Sequence, residues 1–449
     1  MMSTKTPICD FVRRYASGNT VRMHMPGHKG TGPLGVEHLD ITEIAGADSL
    51  YEADGIIKES EAIASRIFGC ETFYSTEGSS QCIRAMLYLA LLHARATKKA
   101  PLIWAGRNAH KTFLSALALL DMDVEWLMPQ AADSYLSCNL TAEQLEKAFQ
   151  AASRHPVAVY VTSPDYLGNV QDIAALSAVC KRYGCLLLVD NAHGAYLKLL
   201  PSSRHPIDLG ADACASSAHK TLPVLTGGAY LQLASTPDAS LRARAKSALA
   251  LFGSTSPSYL ILQSLDAANA VLEGEFRTSL NQTASALGRI KDRLRAHGYR
   301  LIGDEELKLT VDAKAYGYTG IELAELLREH GIECEFCDPD FLVLMPSPLE
   351  GDKALEQTAQ ALLDIPRKSP ICAPSPVWTL PRRMLTVRDA MLSPAQTLPC
   401  EQCLGRILAT PSVACPPAVP IVVCGEAIDE QMLDAFAYYG IRECDVVAD

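Results

Sequence analysis

The segment Ser216-Ser217-Ala218-His219-Lys220-Thr221 directly follows a short run, Asp212-Ala213-Cys214-Ala215, that predicts a buried strand. A lysine at the end of a buried strand is unusual, because removing an isolated ammonium from water is costly. Lys220 therefore either reaches water along its aliphatic stem or is joined to another group. The neighbouring serines and histidine suit an anion. This combination predicts a Schiff base to pyridoxal phosphate (PLP), and a solvated surface lysine is the alternative.

The residues before this segment alternate between apolar runs and helical patterns. They predict strands at 102–105, 124–127, 157–161 and 185–189, with helices at 110–120, 141–152 and 172–183. Continuous apolar strands separated by helices are typical of a parallel sheet covered on both faces. Sites in such sheets form beyond the carboxyl ends of the strands. The candidate site residues that fall just after a strand or close to its end are Gly78, His110, Ser163, Asp190 and Lys220.

An earlier strand, predicted at 72–75, is followed by Thr76-Glu77-Gly78-Ser79-Ser80-Gln81 and a strongly periodic helix. Free N–H groups and the helix dipole at such a helix N-terminus both attract phosphate. The alternative is an ordinary N-cap by Ser79, which the local sequence alone favours.

Asp190 ends a predicted buried strand and precedes Lys220 by 30 positions. A carboxylate there can pair with a pyridinium N–H and keep the ring able to accept electrons. A helix N-cap, or a catalytic acid of another enzyme class, is the alternative for Asp190.

Composition narrows the class of protein. The net charge of −11 over 449 residues argues against a nucleic-acid surface. The N-terminus lacks a signal-peptide core and no apolar run reaches membrane-span length, which predicts a cytoplasmic protein with reduced cysteines. Cys400 and Cys403 form a CxxC pair. No nearby histidine completes a zinc site, so no metal is expected.

Three regions are predicted along the chain. Residues 1–275 comprise an N-terminal segment and the large PLP-binding domain, and 276–366 a smaller α+β domain. A long helical stretch from 259 to about 296 is expected to connect them. Residues 367–449 comprise a linker and a C-terminal α/β domain, because 366–383 is rich in proline.

Eight motifs occur in sequence: MPGHKG (25–30), EGSSQ (77–81), GRNAHKT (106–112), TSPDYLG (162–168), VDNAHGAY (189–196), SSAHKTLPVLTGG (216–228), TSPSY (255–259) and CPPAVPIVVCGE (415–426). As a set they resemble the Orn/Lys/Arg decarboxylase family, in its shorter form without the N-terminal wing domain. The resemblance implies an aminotransferase-like fold (PLP fold type I) and a PLP-bound homodimer with active sites at the subunit interface.

The same resemblance implies a role for each site residue. Lys220 is expected to carry the cofactor aldehyde, Asp190 to bind the pyridine nitrogen and His110 to stack on the ring. The other cofactor-binding residues are Ser79, Ser80, Ser217 and His219 at the phosphate, Thr255 or Ser256 at the partner subunit's phosphate, Ala192 on the ring face opposite His110, and His193 near the phenolic oxygen or the substrate.

The expected reaction is decarboxylation of arginine, lysine or ornithine to a polyamine-pathway amine and carbon dioxide. Another PLP reaction on this fold, such as transamination or elimination, and a non-catalytic paralogue are the alternatives. A cationic substrate side chain needs acidic partners, although each candidate could equally be a surface carboxylate; the candidates are Glu43, Asp48, Glu52, Asp165, Asp338 and Glu426.

The sequence departs from the family pattern at four positions. Asn191 replaces the usual Glu, Ala218 a Thr and Asp165 the common Thr, and Gly227 lies where the family often has Gln. These departures leave the catalytic core intact and leave the choice of substrate open.

Overall fold

The computed structural model describes residues 5–129, 134–235, 239–376, 380–415 and 419–448. Residues 416–418 of the motif at 415–426 therefore lie outside the described residues. The helices are α1 Pro7–Ser17, α2 Ile56–Phe68, α3 Gly78–Thr97, α4 Lys111–Leu120, α5 Ala142–Ala151, α6 Ile173–Arg182, α7 Ala218–Thr221, α8 Ala239–Ala243, α9 Ala245–Ala250, α10 Tyr259–Glu273, α11 Phe276–His297, α12 Ala313–Tyr316, α13 Gly320–Glu329, α14 Gly351–Asp364, α15 Val387–Leu392 and α16 Glu430–Tyr438. The strands are β1 Glu71–Ser75, β2 Leu102–Gly106, β3 Asp123–Leu127, β4 Ala158–Thr162, β5 Leu186–Asp190, β6 Ala213–Ser216, β7 Ala229–Leu233, β8 Arg300–Ile302, β9 Leu309–Asp312, β10 Phe336–Cys337, β11 Phe341–Leu344, β12 Ala395–Pro399, β13 Ser412–Cys415, β14 Val419–Val423 and β15 Glu443–Val447.

Seven strands form one mainly parallel sheet in the order β1-β7-β6-β5-β4-β2-β3. Only β7 runs against its neighbours, pairing antiparallel with β1 and with β6. The inner strands β2 and β5 are buried along their whole length, as expected for strands covered on both faces. The predicted α/β sheet is confirmed, and its predicted strands lie within two residues of the observed ones.

The chain divides into two compact units. The first comprises Met1–Lys98 and Leu186–Ser279, and the second comprises Lys99–Cys185 and Leu280–Asp449. In the first unit α3 packs on β6 and β7. The predicted domain boundaries at 275 and 366 stay a prediction.

The second unit contains three further sheets. Strands β10-β11-β9-β8 form a four-stranded sheet, and β12 with β15 and β13 with β14 form two-stranded ones. All their pairings are antiparallel. The four-stranded sheet shares an apolar core with α11, α13 and α14, as expected for the predicted α+β portion.

The long helical stretch predicted from 259 to 296 is wrong in one respect. It is two helices, because α10 ends at Glu273 and the next residue, Gly274, has a non-helical backbone (φ −87°, ψ −132°). Glycine is a poor residue inside a helix, since ordering its backbone costs the most entropy. Among the described helices, none is both long and apolar enough to cross a membrane.

Candidate active site

The first turn of α3 is not capped by a serine side chain. Gly78 opens the helix with a left-handed φ of +72°, and its N–H donates to the carbonyl of Gly227 at 2.7 Å. The N-cap position is Glu77, whose side chain makes no capping hydrogen bond. The N-cap reading of Ser79 is therefore wrong. Ser79 and Ser80 lie within the first helical turn, where backbone N–H groups lack helical acceptors.

Ser217 connects this turn to the segment that carries the lysine. Its hydroxyl donates to the hydroxyl of Ser79 at 2.8 Å. Ser217 is buried and directly follows β6, so the two hydroxyls meet beside the helix N-terminus. His219, two residues on, is fixed by a 3.0 Å hydrogen bond from Nδ1 to the carbonyl of Gly228.

Lys220 lies in the one-turn helix α7, half-buried, with its amine directed at another residue of the predicted site. Its Nζ is 2.9 Å from Nε2 of His193. His193 itself is buried and follows β5 by three positions. The contact brings together two segments that the sequence separates by 27 positions.

Asp190 ends β5 and is 3% exposed. It lies opposite Ala215 in the parallel pairing with β6, so both strands deliver their carboxyl ends to the same edge of the sheet. One carboxylate oxygen accepts the N–H of Ala192 at 3.1 Å. Asp190, Ala192, His193 and Lys220 therefore belong to one loop cluster at that edge.

A buried polar chain beneath this cluster was not predicted. Asn191 donates through Nδ2 to the hydroxyl of Ser216 at 2.9 Å, and Ser216 donates to Oε1 of Gln232 at 2.9 Å. Nε2 of His205 lies 3.1 Å from the same oxygen, and burial lowers the pKa of His205 to about 4. Asn191, where the family usually has Glu, thus acts here as a neutral donor that ties β5 to β6. Only the alternation of strand residues, which turns Asn191 away from Asp190, hints at this in the sequence.

Three further predicted cofactor residues belong to other segments of the chain. His110 belongs to the second unit, where it caps α4 by accepting the N–H of Thr112 at Nδ1, 3.2 Å away. Thr255 and Ser256 lie in an exposed turn of the first unit. Stacking by His110 and contact of Thr255 or Ser256 with a partner subunit's phosphate stay predictions.

Four of the six acidic candidates for substrate binding are already engaged. Asp48 accepts backbone N–H groups at the start of α2, and Asp165 accepts those of Leu167 and Asn169. Asp338 accepts two backbone N–H groups. Glu426 forms an ion pair with Arg107. Glu43 and Glu52 are exposed.

Within the described ranges, no group of three or more histidine, cysteine or acidic side chains is arranged to hold a metal ion. What the first unit gathers is an amine, a buried carboxylate, an imidazole and hydroxyls at a helix N-terminus. These groups fit an aromatic aldehyde that carries a ring nitrogen and a phosphate.

The chain belongs to the Orn/Lys/Arg decarboxylase family, because the family described as "Orn/Lys/Arg decarboxylase, major domain" matches residues 6–306. It is 29% identical over 465 residues to an arginine decarboxylase of Halalkalibacterium halodurans, with 96% of this chain and 92% of that protein covered. An arginine decarboxylase of Bacillus subtilis is 28% identical over 471 residues, covering 96% and 93%.

A solved structure shares the fold. The lysine decarboxylase of Francisella novicida superposes with a TM-score of 0.81 at 16% identity, covering 99% of this chain and 81% of that one. The predicted family and the aminotransferase-like fold class are therefore both confirmed.

Proposed function

We propose that this chain is a PLP-dependent decarboxylase of a basic amino acid, with arginine as the first expected substrate. The observation that carries the proposal is the 2.9 Å contact between Lys220 and His193 at the strand edge that Asp190 ends. Membership of the decarboxylase family supports the reaction type. The relatives from Halalkalibacterium halodurans and Bacillus subtilis are both named arginine decarboxylase, which favours arginine over lysine and ornithine as the substrate.

Different side chains would bind the aldehyde, the ring nitrogen and the phosphate of the cofactor. Lys220 supplies the amine that joins the aldehyde, and Asp190 supplies a carboxylate for the ring nitrogen. Ser79 and Ser217, with the N–H groups at the start of α3, suit the phosphate. When bound, PLP accepts the electrons released as the substrate loses its carboxylate.

Lys220 and His193 are the side chains that would transfer protons. A primary amine has an ordinary pKa near 10.4, so it must lose a proton before it can act as a nucleophile. His193 is within hydrogen-bonding distance of Nζ and can accept that proton. With the cofactor in place, the Lys220 amine would take that proton back from His193 and could deliver it to the substrate Cα.

We further propose a cytoplasmic homodimer that feeds polyamine synthesis. Large apolar side chains are exposed in the N-terminal loop, with Val21 at 75%, Met23 at 88% and Leu34 at 80%, and exposed apolar surface favours burial against another chain. The fourteen cysteines whose side chains the structure describes are free thiols, which suits a reducing compartment. Sedimentation of the holoprotein tests the dimer, and a monomer at micromolar concentration contradicts it.

The reaction is tested by incubating the purified holoprotein with arginine, lysine or ornithine and measuring carbon dioxide, keto acid and product amine. Agmatine, cadaverine and putrescine identify the substrate. Keto acid without carbon dioxide indicates a transaminase and overturns the proposal. Lys220→Ala is the control, because it should abolish both turnover and the visible absorbance that borohydride removes. A wild-type protein that takes up no PLP contradicts the proposal at its first step.

A further inference from the structure

Arg107 and Glu426 form a buried ion pair in the second unit, 319 positions apart in the chain. Their side chains are 0% and 3% exposed, and Nη2 of Arg107 donates to Oε2 of Glu426 at 2.7 Å. The same oxygen accepts the N–H of Val423 at 2.9 Å. The guanidinium carbon lies 4.8 Å from the ring centre of Trp126. Both charges are buried away from water, so each charge depends on the other for electrostatic stabilisation.

Arg107 is closely connected to His110. It directly follows β2, and its backbone N–H donates to the carbonyl of Leu127 at 3.3 Å. The N–H of Ala109 donates to the carbonyl of Gly106 at 3.1 Å and closes a turn. His110 then caps α4. Only residues 108 and 109, in a turn closed by a backbone hydrogen bond, therefore separate the anchored Arg107 from His110.

Glu426 is held just as firmly by its own surroundings. Gly425 has a left-handed φ of +89°, and a Cβ there would lie 2.5 Å from the carbonyl oxygen of Leu385. The carbonyl of Gly425 accepts the N–H groups of Met384 at 2.7 Å and Leu385 at 3.0 Å. The N–H of Leu408 donates to the carbonyl of Glu426 at 3.0 Å. Two segments of the C-terminal region, at residues 384–385 and at 408, thus fix the turn that presents this carboxylate.

We propose that the Arg107–Glu426 pair is a positioning device through which the C-terminal region holds the loop that presents His110. The inference rests on the proposed function and on the predicted stacking of His110 on the cofactor ring. Apolar residues of similar volume often replace a buried ion pair without loss of stability. Stability alone therefore does not account for the pair, whereas a directional bond from the C-terminal region to the 106–110 loop does. Glu426, a candidate substrate contact in the sequence, is engaged by Arg107, and Arg107 itself is assigned no contact with cofactor or substrate.

The test is a double variant, Arg107→Met with Glu426→Met, which removes both charges and leaves neither buried alone. In the cofactor-free protein, amide hydrogen exchange over residues 107–113 is expected to accelerate about tenfold or more. In the holoenzyme, kcat is expected to fall ~10- to 100-fold with KM for arginine little changed, because misplacement of a catalytic group by about 1 Å has that effect. Glu426→Gln, which keeps an oxygen acceptor without the charge, is the second variant and should accelerate exchange in the same segment.

A matched control is available in the same unit. Arg293 and Glu356 form an ion pair of the same 2.7 Å length, with side chains 42% and 57% exposed. Arg293→Met with Glu356→Met should leave both the exchange over 107–113 and kcat unchanged.

A second comparison asks whether the pair acts through His110. In a His110→Ala background the Met/Met replacement should change kcat less than about twofold, since coupled residues are not additive. An equal loss of kcat in that background, or unchanged exchange over 107–113 in the double variant and in Glu426→Gln, overturns the inference. If the wild-type protein decarboxylates none of the three amino acids, the proposed function fails, while the exchange measurement still tests the anchoring of the loop.

Discussion

Nζ of Lys220 lies 2.9 Å from Nε2 of His193, which joins the one-turn helix after β6 to the loop after β5. This contact brings an imidazole nitrogen within hydrogen-bonding distance of the lysine amine. It also gives His193 a more definite place than the sequence could, because the resemblance left it beside either the phenolic oxygen or the substrate.

Replacing His193 should therefore slow turnover more than it weakens cofactor binding. We expect His193→Ala to retain PLP, by its visible spectrum, and to lose ~100-fold in kcat, a usual effect of removing a general base. His193→Gln should recover part of the loss, because its side-chain amide can still hydrogen-bond to the lysine. His330→Ala, at an exposed position, is the control. Full activity in His193→Ala would contradict a role in proton transfer.

The hydroxyl pair of Ser79 and Ser217 should govern affinity for PLP. Each single change to alanine is expected to raise the Kd roughly tenfold, the loss of one hydrogen bond to a charged group. Because the two hydroxyls are 2.8 Å apart, the double variant should lose less than the product of the single losses. Fluorescence titration measures the three affinities. Ser115→Ala, whose hydroxyl only bonds the carbonyl of Lys111, should bind PLP as wild type does.

The sheet was predictable because its strands are short apolar runs with polar or glycine boundaries. Residues 102–105 and 185–189 identify β2 and β5 to within one residue. The strand β8 was missed because Arg300-Leu301-Ile302 is only three residues long and begins with a charge. The break at Gly274 was missed because the apolar pattern continues on both sides of it.

The site was predictable only as far as local motifs reach. Strand ends and a Gly/Ser turn located Lys220, Asp190 and Ser79, and the carboxyl-edge rule predicts that such groups gather. Local motifs do not predict the partners of a buried charge, because three-dimensional packing determines which residues meet. No local pattern pairs Arg107 with Glu426, and no local pattern shows that Asp48 accepts the N–H groups at the start of α2.

Gly227 should tolerate no side chain, although it is a departure from the family pattern. Its φ is +98°, and a Cβ would lie 2.9 Å from the carbonyl oxygen of Thr76. Its own carbonyl accepts the N–H of Gly78, so movement here shifts the start of α3. We expect Gly227→Ala to weaken PLP binding about tenfold and to cost about 1–3 kcal/mol of unfolding free energy.

Gly331 provides the matched control for that change. Its φ is +73°, yet a Cβ there would meet no atom within 4 Å. Gly331→Ala should therefore cost only about 1 kcal/mol, from its left-handed backbone, and leave the PLP affinity unchanged. Equal effects of the two substitutions on PLP affinity would show that the contact with Thr76 is unimportant.

Asp338 should prove to be a structural carboxyl rather than a substrate contact. It is 2% exposed, its Oδ1 accepts the N–H groups of Asp340 and Phe341, and burial raises its pKa from 3.8 to about 7. The native state therefore binds this proton more tightly than the unfolded chain does. The protonated Asp338 carboxyl therefore stabilises the native state fully below pH 3.8, and this contribution is lost as the pH rises through 7.

Asp338→Asn keeps the Oδ1 acceptor and removes the charge that forms at high pH. We expect the variant to be more stable than wild type by about 2 to 4 kcal/mol at pH 8, with the difference shrinking toward pH 4. Urea unfolding at the two pH values measures this, and Asp292→Asn, at an exposed position, should show no such trend. KM for arginine should stay unchanged, because both backbone donors still occupy the side-chain oxygen. A large rise in KM for arginine without a change in stability would instead indicate that Asp338 contacts the substrate.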